Sequence, residues 1–252
     1  MDTHSRKIFT YIDFEKETPP YLNLCIKTWQ KNLPKGYEII FLNEKNLKNY
    51  IPETALAQVL DKSRKDCFYC YLEYLAASVL YYNGGIFLDA DTIITDKFIP
   101  SEILLSCCDA VVYGNSRNDI CSGFLMAKKE STFLEELMRR LLFFMHLPEI
   151  GGYKRNFVLN NVLRDTSCDD VVVLDCEETG FRMERAMYGV FDSYLYNKYY
   201  FSNISSIEDF IKTTKGITAL SNSLTPQEYK EMSEEEFLSR DVFLAKIFNV
   251  LL

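Results

Sequence analysis

Short apolar runs alternate along the chain with longer stretches in which apolar residues recur at helical spacing. Lys7 to Ile12 (Lys-Ile-Phe-Thr-Tyr-Ile) is rich in β-branched and aromatic residues and predicts a first strand. Asp13 to Pro20 is polar and ends in a proline pair, which predicts a loop. Leu22, Leu24, Cys25, Ile26 and Trp29 place an apolar face on a helix over Tyr21 to Leu33, stopped by Pro34. Tyr37 to Leu42 predicts a second strand, and short helices follow over Glu44 to Tyr50 and Glu53 to Asp61. Tyr69 to Tyr82 reads as a strongly apolar helix closed by Asn83-Gly84-Gly85, residues suited to positive φ. Ile86-Phe87-Leu88 then predicts a short buried strand, with Asp89-Ala90-Asp91 at its carboxyl end.

The second half is less regular. Ala110 to Tyr113, Gly123 to Ala127 and Val171 to Leu174 are strand candidates, and Ser131 to Phe144 is a helix by its apolar spacing. Asp119, with Asn118 and Ser122, precedes the strand-like Gly123 to Met126 and reads either as a polar turn or as part of a binding face. Thr225 fits an N-cap with Pro226 at the first helical position, and Ser233 opens a capping box before a helix over Phe237 to Leu252. Strands alternating with helices predict an α/β fold with a mostly parallel, Rossmann-like central sheet flanked by helices. No repeat or linker interrupts the chain, so a single domain over 1–252 is expected.

Charge narrows the partners. With 28 Lys plus Arg against 36 Asp plus Glu the formal charge is −8, so no nucleic-acid partner is expected. No apolar stretch is long enough to span a bilayer, and the amphipathic terminal helix is expected to pack on the core, leaving at most peripheral membrane contact. The start leads into strand-like sequence without a secretory apolar region, so a cytoplasmic protein is expected, including at the inner face of the membrane. The eight cysteines then read as buried free thiols, Cys67 and Cys70 included. Two histidines, His4 and His146, are too few for histidine-based triads or metal sites. Trp29, the one tryptophan, reads as core.

The chemistry concentrates on Asp89 and Asp91. Two carboxylates beyond a buried strand are exposed, paired or metal-bound, because burying an ionised carboxylate uncompensated costs many kcal/mol. Such oxygen ligands suit Mg²⁺ or Mn²⁺, yet a bare D-x-D also occurs in solvated turns.

Several segments in order resemble one family. Lys7 to Ile12 resembles its first strand; Thr28-Trp29, Tyr37-Glu38-Ile39-Ile40 and Leu42-Asn43-Glu44 resemble its "S-W … Y-E-I … W-N-E" run. Leu80 to Asp91 (Leu-Tyr-Tyr-Asn-Gly-Gly-Ile-Phe-Leu-Asp-Ala-Asp) resembles its "L-Y-x-x-G-G-I-Y-L-D-x-D" signature. Gly216-Ile217 and Leu220-Ser221-Asn222-Ser223 are fainter matches to its closing "G-I-H-L-W-N-S". The chain thus resembles the DxD-containing sugar transferases of GT-A type, which include capsule and lipopolysaccharide glycosyltransferases and are similar to the catalytic domain of clostridial glucosylating toxins. The resemblance implies a single GT-A-like domain, with a nucleotide-sugar-binding half over 1–100 and an acceptor-side half with C-terminal helices over 101–252.

It also implies a metal-dependent glycosyltransferase moving a sugar, with retention, from a nucleotide sugar (a UDP-sugar before a GDP-sugar) to a bacterial surface glycan. By resemblance Asp91 ligates Mn²⁺ or Mg²⁺, while Asp89 contacts ribose or sugar and reaches the metal too. Both form the catalytic pair. Tyr11, Asp13, Glu73, Ala90 and Asn222 are the further donor-binding positions. Departures accompany the match: Glu73 replaces a family Asp, Ala76 an Arg, and Asp13 an aromatic that stacks on the base, leaving Tyr11 either to stack instead or to pack on the sheet. The family His and Trp fall near Ala219 and Ser221. Three alternatives remain beside the transferase: a degenerate module that binds nucleotide or metal without catalysis, a transferase acting on protein, and a sugar nucleotidyltransferase. The last is disfavoured by the acidic, glycine-free segment Asp13 to Pro20.

Overall fold

The structure, a computed structural model, describes residues 6–12, 18–59, 68–98, 105–116, 119–145, 162, 171–175, 181–182, 193–214 and 216–252. In chain order the elements begin β1 (Lys7–Tyr11), α1 (Pro20–Asn32), β2 (Glu38–Leu42), a 3-10 turn (Leu47–Asn49), α2 (Glu53–Val59), α3 (Phe68–Asn83), β3 (Gly85–Leu88) and β4 (Thr92–Ile94). They continue with β5 (Ala110–Ser116), β6 (Asp119–Ala127), α4 (Thr132–Met145), β7 (Val171–Asp175), β8 (Phe181–Arg182), α5 (Ser193–Tyr200) and α6 (Ile207–Thr213). The last are β9 (Ile217–Ala219), α7 (Gln227–Glu231), α8 (Glu234–Ser239) and α9 (Phe243–Leu251). Backbone contacts divide the chain into two compact units. One comprises Met1–Asp13, Gly36–Asp89 and Pro100–Asp175; the other comprises Phe14–Lys35, Ala90–Ile99 and Cys176–Leu252.

The first unit holds a six-stranded sheet in the order β2-β1-β3-β6-β5-β7. β1 pairs in parallel with β2 and β3, and β5 in parallel with β7, while β6 runs antiparallel to both its neighbours. The mostly parallel α/β sheet expected from the sequence is therefore present. Its core joins sheet residues such as Phe9, Phe87 and Val112 to Leu75, Val79 and Leu80 of α3 and Leu134, Leu137 and Leu141 of α4. α3 is stopped by Gly84, whose φ of 67° lies where a side chain is strained, and its backbone passes close to Lys129 N. The turn drops the chain directly into β3.

The second unit holds a three-stranded sheet, β4-β9-β8. Its core gathers Tyr21, Leu24 and Cys25 of α1 with Tyr196, Phe210, Phe237, Phe243 and Phe248. β4 pairs antiparallel with β9 along one edge. On its other edge α1 substitutes for a strand. The Trp29 indole N–H donates to the Thr92 carbonyl, Asn32 Nδ2 donates to the Ile94 carbonyl at 3.0 Å, and the Ile94 amide donates to Thr28 Oγ1 at 3.0 Å. One helix face thus completes the hydrogen bonding of an edge strand.

Several local expectations need correction. Asp119 opens β6 and pairs with Ser116 instead of lying in a turn. α7 starts at Gln227 with Pro226 in the cap position, and no side chain caps it; the Thr225 hydroxyl donates to the Ser221 carbonyl (2.9 Å). The Ser233 capping box forms as expected. The single terminal helix is two, because the Phe243 amide bonds the Ser202 carbonyl (2.8 Å) rather than the preceding turn. Cys25 and Cys108 are buried free thiols, but Cys107 is exposed. His4, His146, Cys67 and Asp13 lie outside the described residues. Among the described residues no helix is long and apolar enough to cross a membrane.

Candidate active site

Within the first unit, Tyr11, Glu73 and Asp89 belong to one end of the sheet. β1 and β3 pair with Ile8 opposite Ile86 and Phe9 opposite Phe87; continuing that register brings Tyr11 level with Asp89. β3 runs back along α3 after the Gly84 turn. The rise from Glu73 to the helix end is about 15 Å at 1.5 Å per residue, and that from Gly85 to Asp89 is about 13 Å at 3.3 Å per residue. Glu73 and the end of β3 therefore reach the same level. The Tyr71 ring meets the Tyr11 ring edge-on there, with centroids 6.2 Å apart.

Tyr11 is half-buried and packs on the first core, so its ring face is partly engaged. Glu73 is 6 % exposed and is no solvated helix acid. Ala76, where the resemblance places Arg, is buried in the apolar core. In parallel α/β sheets ligands bind at the carboxyl ends of strands, the end of the sheet to which Tyr11, Glu73 and Asp89 belong.

Asp89 leaves the sheet with its amide donating to the Gly123 carbonyl at 3.0 Å, a continuation of the β3–β6 ladder. A Cβ on Gly123 would lie 3.0 Å from Asp89 Oδ2 and 3.5 Å from its Cγ. The missing side chain at 123 is therefore the space that the Asp89 carboxylate occupies. The Gly123→Ala variant is expected to keep its thermal midpoint, since alanine restrains the unfolded chain more than glycine, while any turnover that uses the Asp89 carboxylate falls about 10-fold to 100-fold because that carboxylate is displaced. A melting curve beside a turnover assay checks this; unchanged turnover would contradict it.

In the second unit Asp91 is held by a turn over residues 221–225. Asp91 Oδ2 accepts the Asn222 amide at 2.7 Å, and its backbone carbonyl accepts the Leu220 amide at 2.9 Å. The Asn222 Oδ1 in turn accepts the Tyr21 hydroxyl at 2.7 Å. Burial, and next the negative charge of Asp91, push the Tyr21 phenol well above its ordinary pKa, so the hydroxyl stays protonated and remains a donor. The same two causes push the Cys25 thiol up, keeping it neutral. Asp89, Ala90 and Asp91 are each partly exposed. Asn222, expected by resemblance to bind the sugar donor, is an exposed residue that presents its backbone amide to Asp91 and its side-chain oxygen to Tyr21.

Tyr21, Tyr196 and Thr225 support this turn, and no local motif around them announces it. Among the described residues no group of three or more His, Cys, Asp or Glu side chains forms a self-sufficient metal site. The partly exposed Asp91 carboxylate still fits Mg²⁺ or Mn²⁺, which binds through one or two carboxylates and fills its remaining positions with phosphate oxygens and water. It does not fit a structural zinc site, which needs four protein ligands.

A search of curated proteins finds no sequence match to the chain. Among solved structures, the crystal structure of a glycosyltransferase involved in the glycosylation of the major capsid of PBCV-1 is similar over 89% of this chain and 98% of that one, with 13% identity and a TM-score of 0.43. A transferase carrying two cysteine-to-serine substitutions is similar over 86% of this chain and 93% of its own, with 13% identity and a TM-score of 0.34. A family model described as capsular polysaccharide synthesis protein matches residues 4–146. That match spans more than half of the 252 residues and runs from β1 through Asp89 and Asp91 to the end of α4, so the chain belongs to the capsular polysaccharide synthesis family.

Proposed function

We propose that the protein is a metal-dependent glycosyltransferase of GT-A type that moves a sugar, with retention, from a nucleotide sugar to a bacterial surface glycan on the cytoplasmic side of the membrane. The observation that carries the reading is the treatment of Asp91: its carboxylate, partly open to solvent, is oriented by a backbone amide at 2.7 Å. A solvated turn has no need of such a fixture. Asp91 would hold Mn²⁺ or Mg²⁺ and Asp89 would share in that task or take the ribose or sugar hydroxyls. The bound ion supplies positive charge against the negative charge that develops on the departing nucleoside diphosphate.

The remaining roles fall to the chain's own groups. Glu73 offers a buried carboxylate to the donor sugar, and Tyr11 offers the exposed part of its ring to the base. Ala90 lets donor approach the backbone between the two acids. Asp13 is retained as a donor-binding proposal on sequence grounds alone. UDP-sugars are proposed ahead of GDP-sugars, and a glycan acceptor ahead of protein.

One specific observation favours a second reading. Ala76 is part of the core, so no side chain from that position is available for the donor, as a non-catalytic binding module would tolerate. The two readings separate in an assay of nucleoside diphosphate release from UDP- and GDP-sugars, with and without Mn²⁺. The transferase reading expects Mn²⁺-dependent release with one donor class; donor-dependent thermal stabilisation without release would establish the binding module.

A further inference from the structure

Two buried tyrosines converge on the turn that holds Asp91. Tyr21 and Tyr196 are each 0 % exposed. The Tyr21 hydroxyl donates to Asn222 Oδ1 at 2.7 Å. The Tyr196 hydroxyl accepts the Ser221 amide at 3.1 Å and lies 3.2 Å from Thr225 Oγ1, which itself donates to the Ser221 carbonyl at 2.9 Å. Burying a phenol is unfavourable unless its hydroxyl is hydrogen-bonded, so each ring is committed to this turn. The turn is in turn committed to Asp91 through the Asn222 amide. Core packing alone would use phenylalanine at 21 and 196, as it does at the neighbouring core positions Phe237 and Phe243.

We propose that Tyr21 and Tyr196 are positioning residues: they clamp residues 221–225 from the core side so that the Asn222 amide fixes the Asp91 carboxylate for divalent cation and diphosphate. The inference rests on the metal-dependent reading for its purpose, but the clamp is testable without metal. Two consequences follow from removing one hydroxyl. The turn gains local freedom, and the Asn222 amide spends less time on Asp91. The carboxylate then has to be ordered at the moment the cation binds, which weakens binding.

The test compares wild type with Tyr21→Phe, Tyr196→Phe and, as a control for core damage, Leu244→Ala, which empties space in the same core while removing no hydrogen-bonding group. Hydrogen exchange of the Asn222 amide is measured by NMR in metal-free protein, and Mn²⁺ affinity in the presence of UDP is measured from the free-Mn²⁺ EPR signal. Either tyrosine variant is expected to lose about tenfold in Asn222 protection and about tenfold in Mn²⁺ affinity, the scale of one lost hydrogen bond. Leu244→Ala is expected to lower global stability with Mn²⁺ affinity unchanged. Wild-type exchange and affinity in both tyrosine variants, or equal losses in Leu244→Ala, would overturn the clamp. Failure of wild type to bind Mn²⁺ with either UDP or GDP would overturn the metal reading instead, and the exchange arm then decides the clamp by itself.

Discussion

Replacing Asp91 by alanine is expected to lower turnover at least about 100-fold, the range seen when one preorganised electrostatic contact to a developing charge is removed. Two effects combine in that variant. The negative charge that holds the cation disappears, and the Asn222 amide loses its charged acceptor. Asp91→Asn separates them, because the side-chain amide still offers an oxygen to the Asn222 amide but carries no charge. If the charge is what matters, Asp91→Asn is as inactive as Asp91→Ala while unfolding nearer to wild type. Steady-state release of nucleoside diphosphate, measured beside thermal unfolding, reads both. Wild-type turnover in Asp91→Asn would exclude Asp91 as a cation ligand.

The second large effect concerns stability. Trp29 is fully buried, and its indole N–H serves the carbonyl of Thr92, the residue after Asp91. Trp29→Ala removes the largest buried side chain of α1 and is expected to cost about 3–5 kcal/mol. Trp29→Phe keeps most of the apolar volume but deletes the donor; a buried carbonyl deprived of its partner costs about 1–3 kcal/mol. Denaturant unfolding of both variants gives the two figures. A Trp29→Phe protein as stable as wild type would mean that the α1 face does not support the edge of β4 in the way described.

Some of this arrangement is legible in the amino-acid order and some is not. β3 and the turn before it are readable because a buried run, two glycines and two acids are contiguous from Asn83 to Asp91. α1, α3 and α4 are readable from apolar spacing over three or more turns. β4 and β9 are not: three residues carry no period, and these strands exist because they pair with each other and because α1 covers one edge. The support of Asp91 is hidden for a different reason. Tyr21 and Asn222 lie 201 positions apart, and a tyrosine in an apolar helix looks the same whether its hydroxyl is idle or engaged.

Gly123 illustrates the same limit. A glycine before Phe124-Leu125-Met126 reads as a weak spot in a strand, whereas the fold uses it to admit a carboxylate from β3's end. At Thr225 the local signal for a cap meets a long-range arrangement, since its hydroxyl bonds the Ser221 carbonyl and lies against Tyr196 while the helix begins one residue later than the pattern suggests. Local rules hold where the side chain has no competing long-range partner, as at Ser233.

Anomalous diffraction at the manganese edge, from crystals soaked with Mn²⁺ and a UDP-sugar, tests the central claim most directly. The account predicts a manganese peak in contact with the Asp91 carboxylate, Asp89 beside the donor, and diphosphate oxygens completing the coordination. Well-ordered donor bound elsewhere, with Asp89 and Asp91 contacting only solvent, would contradict it.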